Sequence, residues 1–378
     1  MTSRDRYLAT LLFREPDRVP LSPGAGRKST RQAWHEQGLP RWIDTAEEIT
    51  EYAYRASGGR EPLPPSGEDF PLDSRMIPRF EEKVLERGER TQIVRDWKGN
   101  VCEIGADFDV TYLRTAVDFV TRRWIRCPVE TRADWRDMAR RYDPADPARL
   151  ASDALERAGR LRFRDWPVKL SVNGPFWQLR EWLGFEKLCM MFYDDPGFVR
   201  EMVRFWEDFV AALLERAFGL FVPDEVYLSE DMAFKGFSMI SPAMAREFLL
   251  PTYRRWGRLV REAGVPVFSM DSDGFIGELI PIWMEAGINV VDPIEVAAGN
   301  DIADFRARFA KGIAFRGGVD KRAIAKGGAA LEAEMARLLP VIRGGGYVPG
   351  CDHGVPPDVP WGHFVKYVGM LARATGWL

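Results

Sequence analysis

The most constraining feature of this chain is a rhythm that starts near residue 130 and runs to its end. Short apolar runs alternate with helix-length amphipathic segments: WPVKLSVNGPF (166–176), DEVYLSEDMAF (224–234), VPVFSMDSDG (265–274), INVVDPIEV (288–296), IAFRGGVD (313–320) and GGYVPGCDHG (345–354). Between them lie stretches such as DPGFVREMVRFWEDFVAALLERAFG and SPAMAREFLLPTYRRWGRLVREAG, which end in the glycine expected of a helix C-cap. Strands alternating with helices pair in parallel. Repeated this often, the unit favours an α/β fold of the (β/α)8 TIM-barrel type over an open sheet. Neither GxGxxG nor GxxxxGKS/T follows any of the runs, which weighs further against a nucleotide-binding open sheet.

The part before residue 130 reads differently. SRDRYLATLLF (3–13) has the pattern of a short helix, with Ser3 as its cap and Tyr7, Leu8, Leu11 and Leu12 on one face. The chain is then rich in Pro, Gly and Trp to about residue 75, an irregular stretch interrupted by a helix over TAEEITEYAYRAS (45–57). From 76 to 127, alternating runs (RTQIVRDWKGNVCEI, AVDFVTRRWIRCPV) broken by Lys98-Gly99-Asn100 predict a small antiparallel elaboration. The expected organisation is one domain over 1–378. Residues 1–130 form an N-terminal helical and irregular segment plus hairpin, and 131–378 form the main barrel.

With 46% hydrophobic and 29% charged residues in 378, the chain can bury a large core. A net charge of −3 gives no polyanion-binding surface, so nucleic acid is not an expected partner. The N-terminus is charged throughout, and no window has the roughly 18 apolar residues of a membrane span, so a cytoplasmic globule without a membrane partner is expected. The four cysteines are scattered without CxxC spacing, which points to neither a disulfide framework nor a zinc knuckle.

In a parallel barrel, chemistry gathers at the carboxyl ends of the strands. Here those ends carry Asn173, Glu230 and Asp231, Asp271 and Asp273, Asp292 and Glu295, Arg316 and Asp320, and Asp352 and His353. Each has a plainer reading too. Asn173 before Gly174-Pro175 serves a turn, Asp320 caps a helix, Glu230 and Asp231 anchor loops, Asp292 precedes Pro293, and His353 makes a structural hydrogen bond. Among the three histidines, His353 stands out in a Gly/Pro-rich loop after the last strand, whereas His363 lies in a helical pattern and reads as packing. Carboxylates facing one cavity repel unless a cation lies among them or one keeps a proton. A divalent metal, a cationic ligand, or arginines such as Arg27, Arg180 and Arg316 would each answer that need. Asp and His together suit zinc, manganese or ferrous iron better than cuprous copper.

Several stretches in order resemble the uroporphyrinogen decarboxylase superfamily: LLFREPDRVP, NGPFWQLREWLGFEKLCMMFYDDPGFV, DEVYLSEDMAFKGFSMISPAMAREFLLPTYRR, the DSDG strand end, GGVDKRAIAKG and GGYVPGCDHGVPPDVPWGHFVKYV. The resemblance implies a TIM barrel and one of two chemistries. One is cofactor-free decarboxylation of uroporphyrinogen. The other is methyl transfer by zinc enzymes that work with a corrinoid protein or methylcobalamin. The decarboxylase proper has a segment like MRQAGRYLPEY, whose arginines hold the substrate's carboxylates. Here the corresponding place reads LSPGAGRKSTRQAWHEQGLP, with Arg27, Lys28 and Arg31 as scattered cations. An aspartate-rich mouth is a poor electrostatic host for a polycarboxylate, so the resemblance is closer to the methyltransferase-like branch.

In that branch, HxCG and a later CGxP supply the zinc ligands. MDSDG falls where HxCG would be and HGVP where CGxP would be, so Asp271, Asp273 and His353 occupy the three ligand positions, with no thiolate aligned. Such a set would make a harder divalent site, of zinc or a similar ion, suited to activating an oxygen group. The leading expectation is therefore a corrinoid-linked methyltransferase or demethylase acting on a small methylated compound. Cobalamin would come from a separate corrinoid protein, because no DxHxxG-type signature occurs in the chain. Asp271, Asp273 and His353 are its metal or catalytic candidates, with Glu230 or Asp231 as general acid. Asn173, Phe176, Trp177, Arg27, Glu295, Arg316 and Asp320 are the substrate-contact candidates. The alternative expectation is a cofactor-free decarboxylase or lyase on a carboxylic acid, and a binding protein for a cationic ligand is a third. The superfamily also implies a homodimer.

Overall fold

The computed structural model describes residues 1–115 and 120–378; the first four residues of the run AVDFVTRRWIRCPV lie outside them. Thirteen strands follow in chain order among the described residues: β1 (Glu68–Asp69), β2 (Lys83–Arg87), β3 (Thr91–Arg95), β4 (Val101–Gly105), β5 (Arg123–Arg126), β6 (Val168–Asn173), β7 (Glu225–Ser229), β8 (Ala233–Phe234), β9 (Phe237–Ser238), β10 (Val267–Asp271), β11 (Val290–Asp292), β12 (Ala314–Val319) and β13 (Tyr347–Cys351). Seven form one parallel sheet in the order β1-β6-β7-β10-β11-β12-β13, as the alternating rhythm predicts. The eighth stave is irregular. Residues 20–26 run beside β13, with the Cys351 N–H donating to the Pro23 carbonyl (3.1 Å), the Val355 N–H to that of Ala25 (3.0 Å), and a parallel bridge between Gly26 and Val355. The barrel thus begins well before residue 131. The N-terminal segment expected to be an appendage supplies both its eighth stave and β1.

Residues facing the barrel axis stack in layers. At the N-terminal end Val267, Val290, Ala314 and Val348 form a small apolar cluster of their own. The helix Ser3–Leu11 closes this end: buried Leu11, with Tyr7 and Leu8, packs onto the cluster, which explains the one-sided apolar pattern of the first turns. Its cap is Thr2, whose hydroxyl accepts the Asp5 N–H at 3.0 Å, one position earlier than the sequence pattern indicates. The stretch expected to be irregular also contains a second helix, Lys28–Glu36, ahead of the anticipated helix Ala46–Ala56.

The next layer is polar. Arg316, pointing inward from β12, donates to Asp292 Oδ1 (2.7 Å) and lies 2.8 Å from Glu225 Oε1 and 2.6 Å from the Tyr7 hydroxyl. A buried guanidinium needs such partners, because desolvation without them is very costly. Arg316 is therefore a strut in the middle of the barrel, with its guanidinium already paired to Asp292 and Glu225 where the sequence suggested a substrate contact. Outward-facing Val226, Leu228, Phe268, Met270, Val291 and Phe315 join the large core under the surrounding helices.

The antiparallel elaboration is a four-stranded sheet, β2-β3-β4-β5, with Val94, Cys102 and Ile104 at its centre. Its β3–β4 turn is built by Asp96, whose carboxylate accepts the N–H groups of Lys98 (2.9 Å) and Asn100 (2.8 Å). This presents Trp97 and Lys98 toward the barrel, where Lys98 pairs with Glu181 of the helix Pro175–Leu183. No helix among the described residues is long and apolar enough to cross a membrane.

Removing the plug should be expensive. Leu11 is essentially inaccessible, and a buried Leu→Ala change costs about 2–5 kcal/mol. Leu11→Ala should lower the unfolding free energy by that amount in denaturant titration; a change within experimental error would show that the helix does not seal the barrel.

Candidate active site at the barrel mouth

Parallel register brings Asn173, Ser229, Asp271 and Asp292 to one level around the barrel, each on the strand next to the last. Asp271 is the centre of this ring. Burial raises its pKa first, and the negative charges of Asp292, Asp231 and Asp273 raise it further, to about 8. The pKa of Asp292 is raised too, because burial outweighs the opposing Arg316 guanidinium bonded to it. Asp271 has no arginine bonded to it among the described residues, so burial and its acidic neighbours favour its protonated form. Tyr227, inward between Glu225 and Ser229, donates to Asp292 Oδ2 at 3.3 Å.

Beyond the strand, the chain turns sharply at Gly274 (φ +84°), where a Cβ would come within 2.4 Å of the Ala233 backbone. Glycine is required there, and the turn sets Asp273 facing the mouth. The Asp273 N–H donates to Asp231 Oδ1 (3.0 Å), and Asp273 Oδ2 lies 3.1 Å from His353 Nε2. On the other side of the ring, Arg27 Nη2 lies 2.9 Å from His353 Nδ1. A guanidinium can only donate, so Nδ1 accepts and the ring proton sits on Nε2, directed at Asp273. The hydrogen bond that His353 donates to Asp273 raises the His353 pKa, while burial and the Arg27 and Lys321 charges oppose it.

The three residues at the family's ligand positions are thus neighbours, but they do not form a ligand set. Both nitrogens of His353 are occupied, one of them by a cation. Among the described residues no three His, Cys, Asp or Glu side chains converge as metal ligands. The Cys351 thiol, two residues before His353, is buried with its pKa pushed up to about 12, so it offers no thiolate. This arrangement does not fit a divalent ion.

Glu230, a general-acid candidate, has no accessible surface. Its carboxyl accepts the Phe176 (3.2 Å) and Trp177 (2.9 Å) N–H groups at the start of the helix Pro175–Leu183, and the Tyr253 hydroxyl. It caps a helix N-terminus, where an anion is favoured. Gly174 makes the space, since a Cβ there would lie 2.3 Å from the carboxyl. Asp231 is the member of the pair that reaches the mouth, 3.9 Å from Arg180, whose guanidinium also holds the Asp231 carbonyl (2.9 Å). Phe176 is wholly buried behind the helix and lines no cavity wall at the mouth.

Other candidates hold loops. Asp320 caps the helix Lys321–Lys326, accepting the Arg322 N–H (2.8 Å) and pairing with its guanidinium, the plainer of its two readings. Glu295 accepts the Gly274 N–H (3.2 Å) and pairs with Lys321 (3.1 Å), so it supports the turn that aims Asp273. Asp352 accepts the N–H groups of Val296 (2.9 Å) and Lys321 (3.2 Å) from below. Asn173 and Trp177 line a cavity of about 340 Å³ beside the mouth. A larger cavity, about 820 Å³, opens through the barrel wall between residues 20–25 and 62–69. It meets Arg316 and Glu225 away from the strand ends, and both are already paired with each other, so the mouth is the better place for chemistry.

Two contributors escaped sequence reading. Tyr227 was legible from parity, since it shares the inward face of EVYLS with Glu225 and Ser229. Trp97, which also lines the 340 Å³ cavity, was signalled only by being an aromatic residue within the turn-forming run DWKGN.

A family model described as Uroporphyrinogen decarboxylase (URO-D) matches residues 115–371. Curated relatives include the uroporphyrinogen decarboxylase of Hyphomonas neptunium, 29% identical over 130 residues (34% of this chain, 37% of that protein). That of Nocardia farcinica is 27% identical over 262 residues (65% and 70%). The chain spans little more than a third of the length of the Hyphomonas and Maricaulis maris relatives. A solved methyltransferase from Methanosarcina mazei superposes with a TM-score of 0.60 at 14% identity, covering 100% of this chain and 98% of that one, which is a likeness of fold.

Glu230 generates a stability prediction. Burial lifts its pKa to about 7, against about 4.3 in an unfolded chain. A raised carboxyl pKa stabilises the fold fully below the unfolded value, and that contribution is lost as pH rises through about 7. Glu230→Gln cannot ionise, so its stability relative to wild type should climb between about pH 4.5 and 7 and then level off. A pH-independent difference in denaturant titrations would show that Glu230 is already ionised in acid.

Proposed function

Because the chain belongs to the uroporphyrinogen decarboxylase family, and because its mouth is lined by acids, we propose that it is an enzyme removing a methyl group from a small methylated compound. The observation that carries this reading is Asp271, a buried carboxyl among acidic neighbours, set in register with Asn173, Ser229 and Asp292 at the strand ends, its pKa pushed up to about 8. Asp231, Asp273 and Asp292 share that mouth, while Arg27 and Arg180 are each held by a neighbour. A polyanionic porphyrinogen would meet like charge there. A small neutral substrate would meet a proton donor.

The chemistry asked of the site is modest. When a methyl carbon leaves an ether or amine, the C–X bond breaks and its electron pair stays on the heteroatom. Asp271 supplies the proton for that atom and becomes a carboxylate, and the substrate leaves as an alcohol, phenol or amine. Such proton delivery is worth roughly 10²–10⁴ in rate. A reduced corrinoid carried by a separate protein is the methyl acceptor in this reading, supplying a strong nucleophile. The whole-length likeness in fold to a methyltransferase supports it. The Asp273–His353–Arg27 chain orients the substrate and, through Asp273, keeps negative charge beside Asp271.

One observation favours a second reading, a cofactor-free decarboxylase of a simpler acid. The same neutral Asp271 would protonate the carbanion left when carbon dioxide departs, and the curated relatives are named uroporphyrinogen decarboxylases.

Purified protein mixed with cob(I)alamin and a panel of O-methyl and N-methyl donors should form methylcob(III)alamin, read by absorbance. Asp271→Asn should slow this by about 100-fold. The wild-type rate should fall as pH rises past about 8, where Asp271 loses its proton. Carbon dioxide release without methylated corrinoid would establish the second reading instead, and an unimpaired Asp271→Asn would remove Asp271 from the mechanism.

A further inference from the structure

Tyr227 stands two residues below Ser229 on the inward face of β7, and its register partner on β10 is Ser269. Asp271 is the next inward residue above Ser269, and Asp292 is level with Asp271 on β11. A phenol is long enough to climb that single layer. The Tyr227 hydroxyl donates to Asp292 Oδ2, two strands away, at 3.3 Å, and it also hydrogen-bonds Asp271. Ser269 leaves it room to cross β10, being small and turned toward the Glu225 carboxylate. One hydroxyl thus serves two carboxyl groups on neighbouring strands, and a phenol has a single proton to donate.

The surroundings fix both the ring and its proton. Lys169, from β6, holds its ammonium 4.5 Å from the ring centroid, and the Arg316 guanidinium from β12 lies at 5.5 Å, placements that a π face favours. Burial, followed by the Asp292 and Asp271 charges, pushes the Tyr227 pKa far above the ordinary tyrosine value, so the phenol remains a neutral donor. Asp292 has a cation of its own, since Arg316 bonds to its Oδ1. Asp271 instead faces the negative charges of Asp292, Asp231 and Asp273, with His353 on the far side of Asp273. While Asp271 holds its proton, the bonds run one way, from Asp271 to the Tyr227 oxygen and from Tyr227 to Asp292. Once Asp271 is a carboxylate, rotation of the phenol O–H about its C–O bond turns that donor to Asp271, and Asp292 keeps Arg316.

We propose that Tyr227 is the positioning residue for Asp271, its hydroxyl turning from Asp292 to Asp271 as Asp271 gives up its proton and so stabilising the carboxylate left behind. The role in turnover rests on Asp271 being the proton donor, as in both readings of the function; the hydrogen-bond exchange itself does not. In the reaction the Asp271 proton goes to the substrate's heteroatom or carbanion, and the O–H electron pair stays on the Asp271 oxygen. Tyr227 keeps its own proton throughout and touches no substrate. The charged layer around Arg316 thereby acquires a purpose beyond stability, since holding Asp292 frees the phenol to serve Asp271.

Infrared titration of the Asp271 carboxyl band in the full chain without substrate tests the exchange directly. Tyr227→Phe removes the donor to the carboxylate and should move the midpoint up from about pH 8 to about pH 9. 3-Fluorotyrosine at position 227 has nearly the same shape but is a stronger donor, so it should move the midpoint down; it also keeps the test open should Tyr227→Phe unfold. In turnover with whichever substrate the wild type accepts, Tyr227→Phe should lower kcat about tenfold with KM little changed, and carry the alkaline limb of the pH profile upward with the band. A tyrosine that only fills space would leave that limb in place. Midpoints that stay put in both proteins, or move the same way in both, would overturn the proposal, and opposite midpoint shifts with an unchanged kcat would overturn its role in turnover. Opposite shifts in a protein that neither methylates cob(I)alamin nor releases carbon dioxide would uphold the exchange and remove both readings of the function.

Discussion

The structure depends on how a buried barrel tolerates so many carboxylates in a small space. Arg316 is the answer at mid-height. Its guanidinium sits between Glu225 and Asp292, with the Tyr7 hydroxyl on the same group, and the pKa of Glu225 stays below the usual carboxylate range because the arginine is beside it. The cation reaches Asp292 but does not bond to Asp271. Asp271 is the register partner of Asp292 on the next strand, at the same level, and no arginine pairs with it among the described residues. Burial and three surrounding aspartates push its pKa up, to about 8, and so favour its protonated form. The pair FSMDSDG therefore splits into unlike groups, a neutral acid at Asp271 and, at Asp273, the hydrogen-bond partner of His353.

A chain of contacts from the N-terminus supports this state. The helix Ser3–Leu11 seals the barrel and carries Tyr7 to Arg316. The irregular stave at 20–26 delivers Arg27 to His353. Segments outside the alternating rhythm thus finish the site that the rhythm frames. This is also where the chain parts from the arginine-rich substrate grip of the decarboxylase proper, because Arg27 is engaged by an imidazole.

Much of this was legible in the sequence, and the failures share a cause. Apolar runs marked the regular barrel strands after residue 130, and their polar ends led to Asp271, Asp273 and His353, which the fold brings to one mouth. A strand end, however, says nothing about depth or direction. Glu230 lies one residue past β7 yet turns back to cap a helix, and Arg316 lies in β12 but points down the axis. Phe176 follows the same turn as Trp177 and faces the core instead. Those differences come from side-chain parity and from helix N-termini seeking an anion, both set by neighbours distant in sequence. The β3–β4 turn was recognisable as a turn, but its lean against the helix Pro175–Leu183 is a tertiary fact, carried by Lys98 and Glu181.

The proposed chemistry stands on the protonation state of Asp271. Infrared difference spectra of wild type against Asp271→Asn report it without any substrate. A protonated-carboxyl band is expected at neutral pH, absent from the variant and disappearing near pH 8. A carboxylate band that persists down to the ordinary aspartate range, near about pH 4, would contradict it.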